Sequence, residues 1–350
     1  MGEGLEQIII NIAKLEEERK ELAEKLRGSS IEIFPDALER GLIHKIDKKE
    51  INAKIAAVDG GLLAQEFHGF DLVLSRAVAV IFEYENSSKK KHFYHPRAFP
   101  EPDVDALTAL DTHEFTWHKG LFRLKKEIRT AIETIEKFKP DYLFIDGSIV
   151  PQISDKPSED SLVRPLYNEV VSYYGELYEK SEKNDCQLVG IIKDSRGKRF
   201  IEIIEKSSSK LNTEILKKSN DSSFLHFLLN EGERTFTLNY ASSAREHQVL
   251  KDLKDWGARV KILYMKPVNE DRPLRVEFLD VKKEVDEVAS LVYSISRINK
   301  KYAYPAILIE ADMRAAMDRL EIDRAYGNLL LKAGMRSSIL KLRKDMRPFR

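Results

Sequence analysis

The stretch Ile55-Ala56-Ala57-Val58-Asp59-Gly60-Gly61 decides how the rest of the chain is read. A short apolar run stopped by a carboxylate and two glycines is the pattern of a buried strand ending in a turn, with an aspartate at its tip. An ionised aspartate there costs free energy if it is buried without a partner, because its charge loses hydration. At a strand terminus it can instead face a cleft and bind a divalent cation, and the glycine after it lets backbone come close to a ligand. Tyr142-Leu143-Phe144-Ile145-Asp146-Gly147 repeats the arrangement. A single Asp-Gly is most often only a turn. Two of them, each closing an apolar strand, point to paired carboxylates of the kind that suit Mg²⁺ or Mn²⁺, which prefer hard oxygen ligands.

Working outward from Asp59, a second strand is expected from Asp71 to Glu85, then a turn at Asn86-Ser87-Ser88 and a third strand over Lys91-His92-Phe93-Tyr94-His95. Short turns between three strands make an antiparallel meander. Pro100 to Pro102 breaks the pattern, and residues 104–138 read as one or two helices with a stripe of Leu121, Leu124, Ile128, Ala131, Ile135 and Phe138, closed by Pro140. After the Asp146 strand come a helix over 161–182 and a strand over 188–192, followed by Lys193-Asp194-Ser195. The Ser-, Lys- and Asn-rich residues 196–220 are expected to form a mobile, partly helical excursion. Apolar runs near 234–240, 259–265 and 273–279 precede a helix over 281–299, the run Ala306-Ile307-Leu308-Ile309, and helices over 311–320 and 323–333. The order predicts an α/β fold: a ribonuclease H-like mixed sheet flanked by helices, with an N-terminal helix and a C-terminal helical extension. Its active site is expected where the ends of the first and fourth strands meet. The corresponding division is an N-terminal helical segment (1–50), the ribonuclease H-like domain (51–335) and a basic tail (336–350).

The 350 residues suffice for one large domain or two modest ones, and 42% hydrophobic with 33% charged residues reads as globular and soluble. No run approaches the roughly 18 apolar residues of a membrane span, and the N-terminus lacks the pattern of a secretory signal. With Cys186 as the one cysteine, an internal disulfide or a thiolate metal site is excluded, and a cytoplasmic location is expected. Basic and acidic residues balance at 58 each, so the chain as a whole is not an obvious polyanion binder. Yet residues 332–350 hold seven basic residues against Asp345, a tail for nucleic acid, for an acidic partner, or simply for solvent. Residues 5–27 predict a helix whose stripe (Ile8, Ile12, Leu15, Leu22, Leu26), interrupted by Arg19, must pack against the body or against another subunit.

Further candidates have two readings each. Glu127 lies on or beside the apolar stripe of its helix, three residues after Leu124, and either pairs with a basic neighbour or points into an acidic metal cluster. Lys193 follows a buried strand and either stabilises charge on a phosphate or is an ordinary exposed lysine. Asp312 either joins the carboxylates or caps a helix from Met313. His92 and His95 share a strand face but receive no metal site. The phosphate and dinucleotide loops of the usual glycine spacings are absent, as is Gly-x-Ser-x-Gly.

With these pieces in order, the sequence resembles the NurA nuclease family. The resemblance rests on residues 55–61, the helix containing Glu127, residues 143–148, residues 190–195 and the segment from Tyr304 to Asp312, and runs over about 50–335. It implies a dimeric, Mn²⁺- or Mg²⁺-dependent DNA nuclease. That enzyme acts as a 5′–3′ exonuclease and single-strand endonuclease in end resection for recombinational repair, and works with a HerA-type hexameric ATPase. By position, Asp59 and Asp146 match the family's metal-binding aspartates and Glu127 its helix carboxylate. Lys193 and Asp312 fall near the expected site, and Tyr167 either contacts DNA or packs in the core. Two other classes remain open on the residues: a non-catalytic DNA-binding adaptor of a DNA-pumping ATPase, and a phosphotransferase of actin-like type.

Overall fold

A computed structural model describes residues 2–29, 34, 36–67, 70–108, 110–207 and 212–333; the basic tail expected at 336–350 lies outside them. Along the chain run α1 (Gly2–Arg27), β1 (Ile43–Lys45), β2 (Lys54–Glu66), β3 (Asp71–Glu85), β4 (Ser88–His95), β5 (Asp103–Leu107) and α2 (Thr112–Phe138). β6 (Tyr142–Asp146), a 3-10 turn (Ile153–Asp155), α3 (Arg164–Lys183), β7 (Gln187–Ile192), α4 (Arg199–Ser207), α5 (Glu214–Lys217) and α6 (Asp221–Leu228) follow. The last are β8 (Glu233–Thr235), β9 (Leu238–Asn239), β10 (Val260–Lys266), β11 (Leu274–Leu279), α7 (Val285–Ile295), α8 (Ala306–Ala315) and α9 (Arg319–Ala333). Mixed sheet, flanking helices and this chain order are the ribonuclease H-like arrangement. The described residues gather into two compact units, one within 52–146, 150–186 and 307–333, the other within 2–51, 147–149 and 187–306.

In the first unit β2 and β3 pair antiparallel in unbroken register from Lys54↔Glu83 to Glu66↔Asp71. β4 continues the meander on β3, and β6 lies parallel on the other side of β2. β3 is buried from Leu72 to Phe82 with no alternation, as a strand covered on both faces must be. α2 covers the sheet with the stripe read from the sequence: Leu121, Leu124, Ile128, Ala131 and Ile135 are buried. Its start is fixed by Asp111, whose carboxylate accepts the His113 and Glu114 amides at 2.8 and 2.9 Å. Its end is fixed by Lys139 in the left-handed region (φ 47°), one residue before Pro140.

Three expectations change in this unit. The strand holding Asp59 does not stop at Gly60-Gly61 but runs on to Glu66, because both glycines keep their ladder partners, Ala77 and Arg76. Residues 103–107 form a strand on β3 rather than the start of a helix, with Asp103↔Ser75 and Leu107↔Asp71 in register. The run beginning at Ala306 is already helix, so Asp312 sits inside α8 and caps nothing.

The second unit carries the ladder β1-β8-β10-β11-β7, with β9 also on β10. Its core contradicts the excursion expected over 196–220. Phe200, Ile201, Ile203 and Ile204 of α4 and Leu216 of α5 are buried with Phe224, Phe236 and Ile262. Glu202 and Lys206 of α4 and Glu214 and Lys217 of α5 are exposed on the solvent side of these short helices, which masks the apolar face in composition. α1 divides along its length: Leu22, Ala23 and Leu26 are buried in the same core, whereas Ile8 and Ile12 stand 56% and 50% exposed. Arg19, the apparent interruption of the stripe, donates to Ser219 Oγ at 2.8 Å and to the Lys218 carbonyl at 3.0 Å.

Candidate functional site

The parallel pairing of β2 and β6 brings the two aspartates together. Ile55 faces Tyr142 and Val58 faces Ile145, so the next step along both strands sets Asp59 beside Asp146 on one face of the sheet. The glycines then decide what approaches. A Cβ at Gly60 would stand 2.5 Å from Glu127 Oε1, so the Glu127 side chain occupies the space which that position leaves bare. A Cβ at Gly61 would stand 2.0 Å from the Ala315 carbonyl oxygen at the end of α8. The double glycine is a crossing point for two helices rather than a turn.

Burial and like charge set the protonation of the carboxylates. Asp59, 7% exposed, is pushed up to about 8, first by burial and then by the charges of Glu127, Asp146 and Asp312. The Gly60 amide, which donates to Asp59 Oδ1 at 2.7 Å, works against that rise. Glu127, 3% exposed, is pushed up to about 7 by burial, with Asp146 and Asp155 adding to it and Arg123 opposing. Arg123 Nη1 donates to Glu127 Oε1 at 2.7 Å from one helical turn earlier. Burial also raises Asp155, against the Gln152 amide and Arg123. Glu127 therefore does both things open to it on sequence: it pairs with a basic neighbour and belongs to an acidic group.

Asp312 is exposed on α8, and its charge reaches Asp59. Lys193, in the other unit, lays its ammonium 3.8 Å from the ring centroid of the buried Tyr304. Tyr167 is fully buried, with Lys156 and Arg164 standing 5.7 and 5.1 Å over its ring, so as placed it offers no face to a base and serves packing. His95 Nε2 lies 3.0 Å from Glu133. Sequence reading missed Arg123 and Asp155. Arg123 was within reach, four residues before Glu127 on the same helix face; Asp155, on a 3-10 turn, gave no periodic signal.

Among the described residues no three His, Cys, Asp or Glu side chains are gathered closely enough to hold an ion as they stand. The donor chemistry nonetheless fits one. Asp59, Glu127, Asp146 and Asp312 offer hard oxygens, and Asp59 is displaced upward by the charges of the other three. A divalent cation would relieve that repulsion.

Residues 53–317 match the family model of the NurA domain, which is more than half of the chain. The DNA double-strand break repair nuclease NurA of Sulfolobus acidocaldarius is 23% identical over 337 residues, covering 89% of this chain and 93% of its own. Among solved structures, the NurA nuclease from Sulfolobus solfataricus superposes with a TM-score of 0.59 at 15% identity, over 95% of this chain and 96% of that one. A second NurA crystal structure gives 0.52 at 9% identity, over 93% and 97%. Likeness at these identities shows the fold.

Proposed function

This chain belongs to the NurA family, and on that premise we propose that it is a divalent-metal-dependent deoxyribonuclease of DNA double-strand break repair, with Asp59 at the centre of its chemistry. The observation that carries the proposal is the burial of Asp59 beside Asp146 and Glu127, where that burial first, and then like charge, hold its proton up to about 8. Asp59, Asp146 and Glu127 would hold Mn²⁺ or Mg²⁺, with Asp312 as a further ligand. The bound cation supplies a water of lowered pKa and positive charge against the scissile phosphate. Arg123 orients Glu127 and limits the rise that burial imposes on its carboxyl group. Lys193, held on the Tyr304 ring, is assigned to a backbone phosphate of the bound strand.

The finer reading is 5′–3′ exonuclease and single-strand endonuclease activity in end resection, by a cytoplasmic homodimer acting with a HerA-type hexameric ATPase. It is supported by family membership and by the name of the Sulfolobus acidocaldarius relative. Among the described residues no helix is long and apolar enough to cross a membrane. Because resection must tolerate any sequence, binding should run through phosphates and weaken with salt.

Labelled single- and double-stranded DNA, incubated with and without Mn²⁺, ATP and chelator, tests the proposal. Cleavage that needs Mn²⁺ and not ATP, and that Asp59→Ala abolishes while the fold remains intact, is the expected result. Undiminished Mn²⁺-dependent cleavage by Asp59→Ala would sink the assignment. Metal-independent DNA binding without hydrolysis, alone or with the ATPase, would favour the adaptor.

A further inference from the structure

Arg76 is a charged residue in the middle of the buried strand β3, 7% exposed, directly across the ladder from Gly61. Its guanidinium is spent on the end of one helix and the start of the next. Nε donates to the Ala315 carbonyl at 3.1 Å, and Nη2 donates to the Ala316 carbonyl. Nη1 donates to Glu321 Oε2 at 3.1 Å, in the first turn of α9, and to the Pro100 carbonyl at 3.3 Å. The last carbonyls of a helix have no partner within it, and a guanidinium fork meets several of them at once where an ammonium cannot. From the same side, the bare Gly61 lets the Ala315 carbonyl settle against β2. Two neighbouring positions of one ladder pair therefore fix the end of α8, one by donating and one by lacking a side chain.

What α8 presents from that fixed end is Asp312. It lies three residues before Ala315, on the same side of the helix, and its carbonyl accepts the Ala316 amide at 2.8 Å. We propose that Arg76, with the bare Gly61, is a positioning residue that docks the end of α8 on β2 and so presents Asp312 to the cation site as a ligand. The inference rests on reading the carboxylates as a cation site. It explains why the second glycine follows the first: Gly60 admits Glu127, and Gly61 admits the helix bearing the late carboxylate. Tyr94 gives α8 a separate anchor, donating to Glu310 Oε1 at 2.8 Å, so loss of Arg76 frees the end of the helix without releasing all of it.

Equilibrium Mn²⁺ titration by calorimetry, with thermal melts in chelator, tests this on the full chain. The variants are Arg76→Lys, Gly61→Ala, Asp312→Asn and the Arg76→Lys/Asp312→Asn pair, with Asp59→Asn as the control for the site itself. Arg76→Lys, Gly61→Ala and Asp312→Asn should each weaken Mn²⁺ binding about 10-fold, the low end of what supporting residues of metal sites contribute. The double variant should bind no more weakly than Asp312→Asn alone, since Arg76 acts through Asp312. Gly61→Ala moves the helix end without removing a charge, and so keeps the test open if Arg76→Lys folds poorly. Wild-type affinity in Arg76→Lys and Gly61→Ala, with only their melting temperatures lowered, would reduce Arg76 to a structural clamp and overturn the proposal. So would losses that add in the double variant. An Asp59→Asn protein binding Mn²⁺ like wild type removes the cation reading itself, and with it this inference.

Discussion

Arg275, Glu277, Tyr264 and Asp221 are buried together in the unit built on β10 and β11, and each polar group there is answered. Arg275 Nε donates to Glu277 Oε1 at 3.0 Å, and Glu277 Oε2 accepts the Ser148 hydroxyl at 2.6 Å and the Ile149 amide at 3.1 Å. Asp221 accepts the Tyr264 hydroxyl at 2.7 Å and the amides of Phe200 and Ile201 at 3.1 and 3.0 Å. Burial pushes Asp221 up to about 6, while those bonds hold it down. Asp59 is buried too, but among a different set of neighbours. Glu127, Asp146 and Asp312 raise it, and the Gly60 amide is what opposes them. Burial of charge is common to both groups, so burial alone does not mark a reactive site. The mark is a surplus of one sign, which a ligand of the other sign can resolve.

Substituting the central aspartate of each group puts the largest effect on that contrast. Asp59→Asn should lower Mn²⁺-dependent cleavage by about 10⁴-fold, as loss of a central catalytic carboxylate does, and leave the metal-free protein at least as stable at pH 8. Asp221→Asn should leave cleavage within about threefold and destabilise by about 1–3 kcal/mol, because the amides of Phe200 and Ile201 lose a charged acceptor. Cleavage rates and chemical denaturation of the two variants side by side measure both. A catalytic collapse in Asp221→Asn would break the distinction.

The balanced group can also be unbalanced. Arg275→Met leaves Glu277, 1% exposed, without its guanidinium, and breaking a buried pair from one side costs about 3–5 kcal/mol. Denaturant midpoints should fall accordingly. A loss under about 1 kcal/mol would show that this network is not what secures its unit.

The two groups titrate over different windows. A carboxylate raised by folding contributes stability that is present below its unfolded value and is lost as pH rises through its folded value. For Asp221 that loss is complete near pH 6, whereas for Asp59 it continues to about pH 8, with Glu127 following to about 7. Metal-free protein should therefore become less stable from pH 6 to pH 8, and Asp59→Asn should flatten that limb while keeping the one below pH 6. Mn²⁺ at about 100 times its dissociation constant should return about 2.7 kcal/mol. Melting curves at pH 5, 6, 7 and 8, in chelator and in Mn²⁺, read all three effects. A flat limb between pH 6 and 8 in the wild type would remove the claim that burial and like charge together raise these acids.

Much of this was legible in the sequence, and the failures have physical causes. Ile55 to Asp59 and Tyr142 to Asp146 announce their strands because an apolar run ended by a carboxylate has few other uses. The two Asp-Gly steps look alike yet serve different ends. Gly147 adopts φ +113° and ends its strand, whereas Gly60 continues its own and is bare because Glu127 occupies the space of a side chain. A glycine needed for close approach cannot be told from a turn glycine without the helix that approaches. For the same reason Ala306-Ile307-Leu308-Ile309 passed for a separate apolar run: four residues are too few to separate the two periods. Arg123 was visible at helical spacing from Glu127, but nothing local shows that Arg76 would be consumed by the end of a helix more than 230 residues away.

Lys193 belongs to neither group, and its substitution should have the smallest effect. Its ammonium is held 3.8 Å from the centroid of the Tyr304 ring, an arrangement that fixes a cation in place. On the proposed reading this ammonium meets a backbone phosphate of the bound strand. Lys193→Met should then weaken DNA binding by about 10-fold at low salt, uniformly across sequences, and reduce the slope of log affinity against log salt by about one. Mn²⁺ affinity should stay at the wild-type value, because the carboxylates keep their ligands. Fluorescence anisotropy over a salt series decides it. An unchanged slope would mean that Lys193 is packed on Tyr304 for stability alone, leaving charge surplus around Asp59 as the feature that separates a working site from a structural one.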